Sequence, residues 1–305
     1  MPAIFRRSIL TICIAGLICW TGLNHFSLPD AAADSPHSKT KLDPFTVQLA
    51  ASATPIAFAS TEVRPAAKPA SRVELARELA RKDPWALARL GEEQYLRTIR
   101  DYTCVFLKQE RINGKLRNAE EIEVRYRQDP KTVYMIWTKN ADQAKRALFI
   151  DSPEFVDKNG EKLAKVEPAG AIIRLIVSEV MMPIYGKRAR QSSRRSIDEF
   201  GFLSTFTLLN RYNQLGTDRG LLDLRYDGEG EIDGRPTFKI VRYLPYAGPN
   251  GEWPDAKMIL HLDQEWLLPT AVYSYADREE KELLGSYVIT QVKLNPGLTD
   301  ADFRF

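Results

Sequence analysis

Few side chains in this sequence have the types and spacing that catalysis needs. Of the three histidines, His25 and His37 fall in N-terminal segments outside the predicted fold, and His261 stands between Leu260 and Leu262 on a predicted strand. A general base needs a group within hydrogen-bond reach, and a lone strand histidine reads first as structural. Cys13 and Cys19 lie in an apolar N-terminal run, which leaves Cys104 alone and no disulfide in the mature domain. Followed by Val105, Phe106 and Leu107, Cys104 reads as a small buried hydrophobe. The carboxylate pairs Glu92 and Glu93, Glu120 and Glu121, and Glu279 and Glu280 read as solvated faces or turns. There is no Gly-x-Ser-x-Gly elbow, glycine-rich phosphate loop, His-x-x-x-His or Cys-x-x-Cys pair. The sequence therefore nominates no catalytic residue, no metal and no cofactor, and the expectation is a protein that is not an enzyme.

What the chain offers instead is binding chemistry. Residues 187–195, KRARQSSRR, place Lys187, Arg188, Arg190, Arg194 and Arg195 together with no acidic neighbour. Such a run is either a solvated loop or a contact for anionic lipid headgroups, which clustered Lys and Arg attract. It carries no interleaved aromatics, and the formal charge of the whole chain is only +3, so nucleic acid is not an expected partner. Apolar residues form the second group. Phe106, Val124, Tyr126, Met135, Trp137, Leu260 and Tyr273 are expected on the inward faces of strands, and Ile176, Met181 and Phe206 on apolar helices above them. This set is either plain core or the lining of a ligand cavity.

Period-two alternation supplies most of the elements that position these residues. Strands are expected over 103–112 and 115–128, joined by Asn113-Gly114, a strong short-range hairpin signal. In the second of these, Ile122, Val124 and Tyr126 alternate with Glu123, Arg125 and Arg127, so one face is covered and the other wet. Further strands are expected over 131–139 and 146–151, and a small hairpin around Asn159-Gly160. Residues 221–226 and 236–243 form another hairpin, and the closing stretch reads as strands over 258–263, 269–276 and 285–295. Leu294, Leu298, Phe303 and Phe305 are expected to dock the end of the chain. Helices are expected over 72–82 and, behind the Asp83-Pro84 cap, from 84 onward with Leu87, Leu90, Tyr95 or Gln94, and Ile99 near one face. Apolar residues 170–186 and 197–216 read as two more helices, either core or a lid over a cavity. Nine or ten sequential strands with helical insertions make an α+β domain built on a strongly curved antiparallel sheet.

The first third of the 305 residues is of another kind. Arg6 and Arg7, the apolar run 8–23 and Ala31 to Ala33 follow the order of a secretory signal peptide, and the run is close enough to spanning length for an uncleaved anchor. Residues 34–71 are rich in Ala, Ser, Thr and Pro and read as a disordered linker, too poor in apolar periodicity to offset the cost of ordering. The expected organisation is thus 1–33 signal peptide or anchor, 34–71 linker and 72–305 folded domain, with the domain exported to the periplasm or cell envelope.

Over roughly 92–305 the domain resembles the periplasmic lipoprotein carrier superfamily of the LolA and LppX type. The residues that carry this are Phe106, Gln109 and Gly114 after the N-terminal helices, then HLDQEWLLP at 261–269 and YVITQVKLNPGLTDADFRF at 287–305. More closely, the chain is similar to an uncharacterised bacterial family of secreted proteins. The resemblance implies an unclosed antiparallel half-barrel whose concave apolar face is covered by helices and takes up acyl chains. It makes the expected partner a lipid or an acylated protein; peripheral contact to an anionic membrane surface is expected from the charges of the basic run alone. The rival expectation is a structural or sensing envelope module whose core is filled and which binds a protein partner. Oligomeric state is left open.

Overall fold

A computed structural model describes residues 71–170 and 178–305. The predicted segments 1–33 and 34–71, except Ser71, lie outside the described residues, as does Ile176. Two helices open the domain. In α1 (Arg72–Lys82), Ser71 and Glu74 form a reciprocal capping box; in α2 (Pro84–Thr98), Asp83 accepts the Ala86 N–H at 2.8 Å and Pro84 occupies the first turn. The buried face of α2 is Leu87, Ala88, Gly91 and Tyr95. Leu90, expected on that face, is exposed. At 100° per residue it falls roughly 115° from the centre of the arc spanned by the four buried positions. Gly91 takes the contact instead, since a Cβ there would stand 2.3 Å from the Leu267 carbonyl oxygen.

The strands are β1 (Asp101–Ile112), β2 (Lys115–Leu116), β3 (Glu120–Arg127), β4 (Thr132–Lys139), β5 (Ala144–Ile150), β6 (Leu163–Pro168), β7 (Val180–Pro183), β8 (Asp223–Ile232), β9 (Arg235–Tyr243), β10 (Lys257–Asp263), β11 (Pro269–Tyr275) and β12 (Leu283–Leu294). Among the described residues they form one antiparallel 12-stranded sheet, in the order β7-β6-β5-β4-β3-β1-β12-β11-β10-β9-β8, with β2 beside β1. The sheet is curved and not closed, so the domain is an α+β half-barrel with helices over its concave face. Helices α3 (Lys187–Ser192) and α4 (Phe202–Asp218) lie between β7 and β8 in the chain.

Four local expectations are corrected. The strand expected over 115–128 breaks into β2 and β3 around Asn118 and Ala119. Residues 180–183, expected to be helical, form β7, which pairs with β6 and completes its hydrogen bonding. Lys187–Ser192, expected as loop, is a short helix, and the helix expected from 197 begins at Phe202 after a turn of 3-10 helix at Ile197–Glu199. Gly201 separates the two at φ 115°, where an added Cβ would meet the Tyr102 hydroxyl at 2.8 Å, so only glycine lets α4 start this close to the sheet.

Cross-strand partners share a face, and the register sorts the concave one into rows. Along β1 the inward residues are Tyr102, Cys104, Phe106, Lys108 and Glu110. At the first of these the face is solid. Tyr102 stacks on Tyr126 with ring centroids 4.7 Å apart and meets Phe202 at 4.8 Å, while Tyr95, Val133, Phe149, Phe206 and Leu262 are buried in the same core. The convex face carries a smaller core of Tyr134, Leu148, Phe155 and Phe303, against which Leu298 and Phe305 pack. Arg125 donates to the Asp302 carbonyl at 2.5 Å and Arg127 pairs with Asp300 at 2.6 Å, fastening the closing segment to β3.

Truncating a buried Phe costs about 3–5 kcal/mol, and Phe303 is 4 % exposed. Phe303→Ala should lower the urea-derived unfolding free energy by about 3 kcal/mol, against under about 0.5 kcal/mol for Leu107→Ala at an exposed position. Equal small effects would show that the convex core contributes nothing.

Candidate functional site

Beyond the aromatic plug the concave face is hollow. The space between sheet and helices is a cavity of about 660 Å³, within the range of small-molecule sites. Its floor is apolar. Phe106 pairs across the sheet with Ile122 and Ile289, Ile122 with Trp137, and Leu260 with Val272, and all of these line the cavity. Ala147 and Ala164 make the wall towards β7. With only methyl groups at these two positions, the width there is kept free. From above, Phe200, Leu208 and Leu209 face the same space.

One end of the cavity is polar, for reasons visible in the register. The next inward residues along β1 are Lys108 and Glu110; Lys108 faces Glu120 on β3 and Tyr287 on β12. Glu110 is 2 % exposed, and its carboxylate accepts the Tyr287 hydroxyl at 2.8 Å, the Ser193 hydroxyl at 2.9 Å and the Arg194 N–H at 3.1 Å. Lys108 lies 2.7 Å from Glu120 and 3.6 Å from Glu110. A buried carboxylate survives only when so satisfied, and these bonds pin the chain just after α3 over the cavity end. Burial pushes the Tyr287 hydroxyl pKa well up, helped by Glu110 and opposed by the positive charges of Arg194 and Arg195. Further along the same end, Arg242 on β9 and Asp255 form an ion pair at 3.2 Å, with Ser274 donating to Asp255 at 3.3 Å. Arg242 also donates to the side-chain amide oxygen of Asn213 on α4 at 3.3 Å.

The residues expected from sequence distribute unevenly. Phe106, Met135, Trp137 and Leu260 line the cavity. Val124, Tyr126 and Phe206 face inward but are buried in the solid core. Met181 and Tyr273 lie elsewhere. Met182 pairs with Ala164 and lines the cavity, so Met181 points the other way and is exposed. Val272 and Ser274 line the cavity, so Tyr273 between them sits on the convex face, edge-on to His261. Of the basic run, the half-buried Arg195 and the exposed Arg188 line the cavity, whereas Lys187 and Arg190 are exposed and do not line it, and Arg190 donates to the Tyr185 carbonyl at 2.8 Å. Arg194 donates to the Pro254 carbonyl at 3.1 Å.

Sequence reading missed the polar end. Its signal lay in the alternation of β1, where Tyr102, Cys104 and Phe106 share one parity with Lys108 and Glu110, so two charges fall on an otherwise apolar face. Cys104 is buried, which raises its thiol pKa. His261 is half-buried on the convex face, with Nδ1 2.9 Å from the Thr237 hydroxyl. Among the described residues no cluster of three or more His, Cys, Asp or Glu could hold a metal ion, and no helix is long and apolar enough to cross a membrane.

The model of the family described as "Protein of unknown function (DUF1571)" matches residues 99–305, and the chain belongs to that family. No curated protein matches it. Solved structures similar to it include a DUF1329 family protein from Desulfovibrio piger, at 14 % identity and a TM-score of 0.37, covering 74 % of this chain and 97 % of that one. The lipoprotein LppX of Mycobacterium tuberculosis is similar at 15 % identity and a TM-score of 0.37, covering 71 % of this chain and 98 % of that one. The MucA/MucB complex of Pseudomonas aeruginosa contributes a chain at 15 % identity and a TM-score of 0.39, covering 72 % of this chain and 61 % of that one.

Burial, with the Lys239 ammonium nearby, holds the His261 pKa below the ordinary histidine value. Below an unfolded-state pKa of about 6.5 the unfolded chain binds a proton that the native chain resists, so stability falls as pH falls through that value. Denaturant titrations of wild type and His261→Gln at about pH 8 and pH 5.5 should show the wild type losing more stability than the variant. Parallel losses would contradict the shift.

Proposed function

We propose that this protein is an exported, non-catalytic binding protein for a lipid or an acylated ligand, whose chain lies in the cavity between curved sheet and helices. The observation that carries this reading is the hollow half of the concave face. Its floor is apolar and rigid because it is the sheet itself, and the aromatic plug closes it at one end. A folded domain ordinarily fills such a space, because unfilled apolar volume forfeits dispersion contacts. The N-terminal basic, apolar and small-residue order supports export to the periplasm or cell envelope.

The energetics are adequate. Burying ten methylene groups contributes about 8 kcal/mol at roughly 0.8 kcal/mol each. That corresponds to a dissociation constant of about 1 μM before the costs of ordering the chain. An acyl group needs no directional partner along its length, which fits a floor made of Phe106, Ile122, Trp137 and Leu260.

The test begins with the protein purified under non-denaturing conditions, extracted with organic solvent and examined by lipid mass spectrometry, together with titration of a fluorescent fatty acid. Co-purified lipid and saturable micromolar binding are expected. Ala164→Phe, which adds bulk to the wall, should weaken fluorescent fatty-acid binding at least tenfold with little change in thermal midpoint. No extracted lipid and no binding would sink the reading.

A further inference from the structure

The polar end of the cavity bears on the ligand's charge, and this argument rests on the binding function proposed above. Each acidic side chain lining the cavity has a partner within the protein. Glu110 has the Tyr287 and Ser193 hydroxyls and the Arg194 N–H, and Glu120 has Lys108. Asp255 has Arg242, Glu199 accepts the Ser196 N–H at 2.9 Å, and Asp142 lies 3.7 Å from Arg117. Two of the lining cations, Lys108 and Arg242, are likewise engaged. Arg188 and Arg195 differ: both line the cavity, and among the described residues neither guanidinium has a hydrogen bond or an ion pair.

Arg195 is half-buried and Arg188 is exposed at the cavity's rim, and both stand on a segment fastened to the sheet. The chain between them is held by the buried carboxylate of Glu110, through the Ser193 hydroxyl and the Arg194 N–H, and by the bond from Arg194 to the Pro254 carbonyl. The fixed backbone therefore presents two open guanidinium forks at the end of an apolar cavity. A guanidinium offers paired N–H donors that match carboxylate and phosphate oxygens, and such charge-assisted bonds strengthen as water is excluded.

We infer that the ligand is an anionic amphiphile, its chain on the apolar floor and its carboxylate or phosphate head held by Arg188 and Arg195. The five basic residues of 187–195 thus divide by task. Arg188 and Arg195 face the ligand, Arg194 secures the segment, and Lys187 and Arg190 face solvent.

Four probes of equal chain length, dodecanoate, dodecyl phosphate, dodecanol and dodecyltrimethylammonium, separate charge from chain by isothermal titration at low ionic strength. Both anions should bind at least tenfold more tightly than dodecanol, and the tighter of the two identifies the head. In the variant Arg188→Gln/Arg195→Gln the ratio of anion to alcohol affinity should fall to near one. Lys187→Gln/Arg190→Gln, whose side chains face away, should keep the wild-type ratio. Dodecanol binding as tightly as dodecanoate, or the cation binding more tightly, overturns the inference while leaving the binding function standing. Binding of none of the four overturns both. Because the comparison of heads is made on the wild type, it stands even where a variant fails to fold.

Discussion

The contact between Tyr102, Tyr126 and Phe202 decides where the concave face is solid and where it is hollow. Two stacked tyrosine rings and the start of α4 fill the depth of the half-barrel at one end, and Gly201 lets the helix begin against them. Further along β1, Phe106 meets Phe200 edge-on at 5.0 Å, and beside this pair the space between sheet and cover opens. One strand thus reads out the whole site in steps of two residues: plug at Tyr102, apolar floor at Phe106, polar end at Lys108 and Glu110. The period of two that makes a strand amphipathic here also grades one face along its length.

Much of this architecture was legible in residue order because strands announce their faces. The alternation of Ile122, Val124 and Tyr126 against Glu123, Arg125 and Arg127 marks the inward set of β3 directly, and the closing strands are equally plain. Alternation names two faces, though, and does not say where along a face the packing stops. Val124 and Tyr126 share their parity with Ile122, yet only Ile122 meets the cavity, while Tyr126 stacks on Tyr102 against Gly201 at the start of α4. Bulges were illegible for a similar reason. The register shifts between His261 and Leu262, so parity counted from one end of β10 and β11 misassigns the other, and Tyr273 lies on the convex side. Met181 and Met182 have the composition of an apolar helix, and only pairing with β6 makes one of them inward and the other outward.

The basic run shows how composition and placement diverge. Five cations in nine residues look alike in sequence, but the buried carboxylate of Glu110, 83 residues before Ser193, determines how they are presented. An isolated buried carboxylate would be costly. Surrounded by a tyrosine hydroxyl, a serine hydroxyl, a backbone N–H and a nearby lysine, it becomes the fastening between sheet and cover. The polar end is thus both a charged wall of the cavity and the joint that holds the basic segment in place.

The pairing of β1 with β12 joins two meanders into one sheet, and it brings residues 101–112 against residues 283–294. Contacts so distant in sequence raise contact order and slow folding. They also impose a sequence of events on synthesis: the central strand pair has no second member until the C-terminal strand has been made. Until then each meander exposes an unpaired strand edge and an apolar face, the surfaces that holdase chaperones recognise. The seam that makes the two meanders one sheet is thus the last part of the fold that can close.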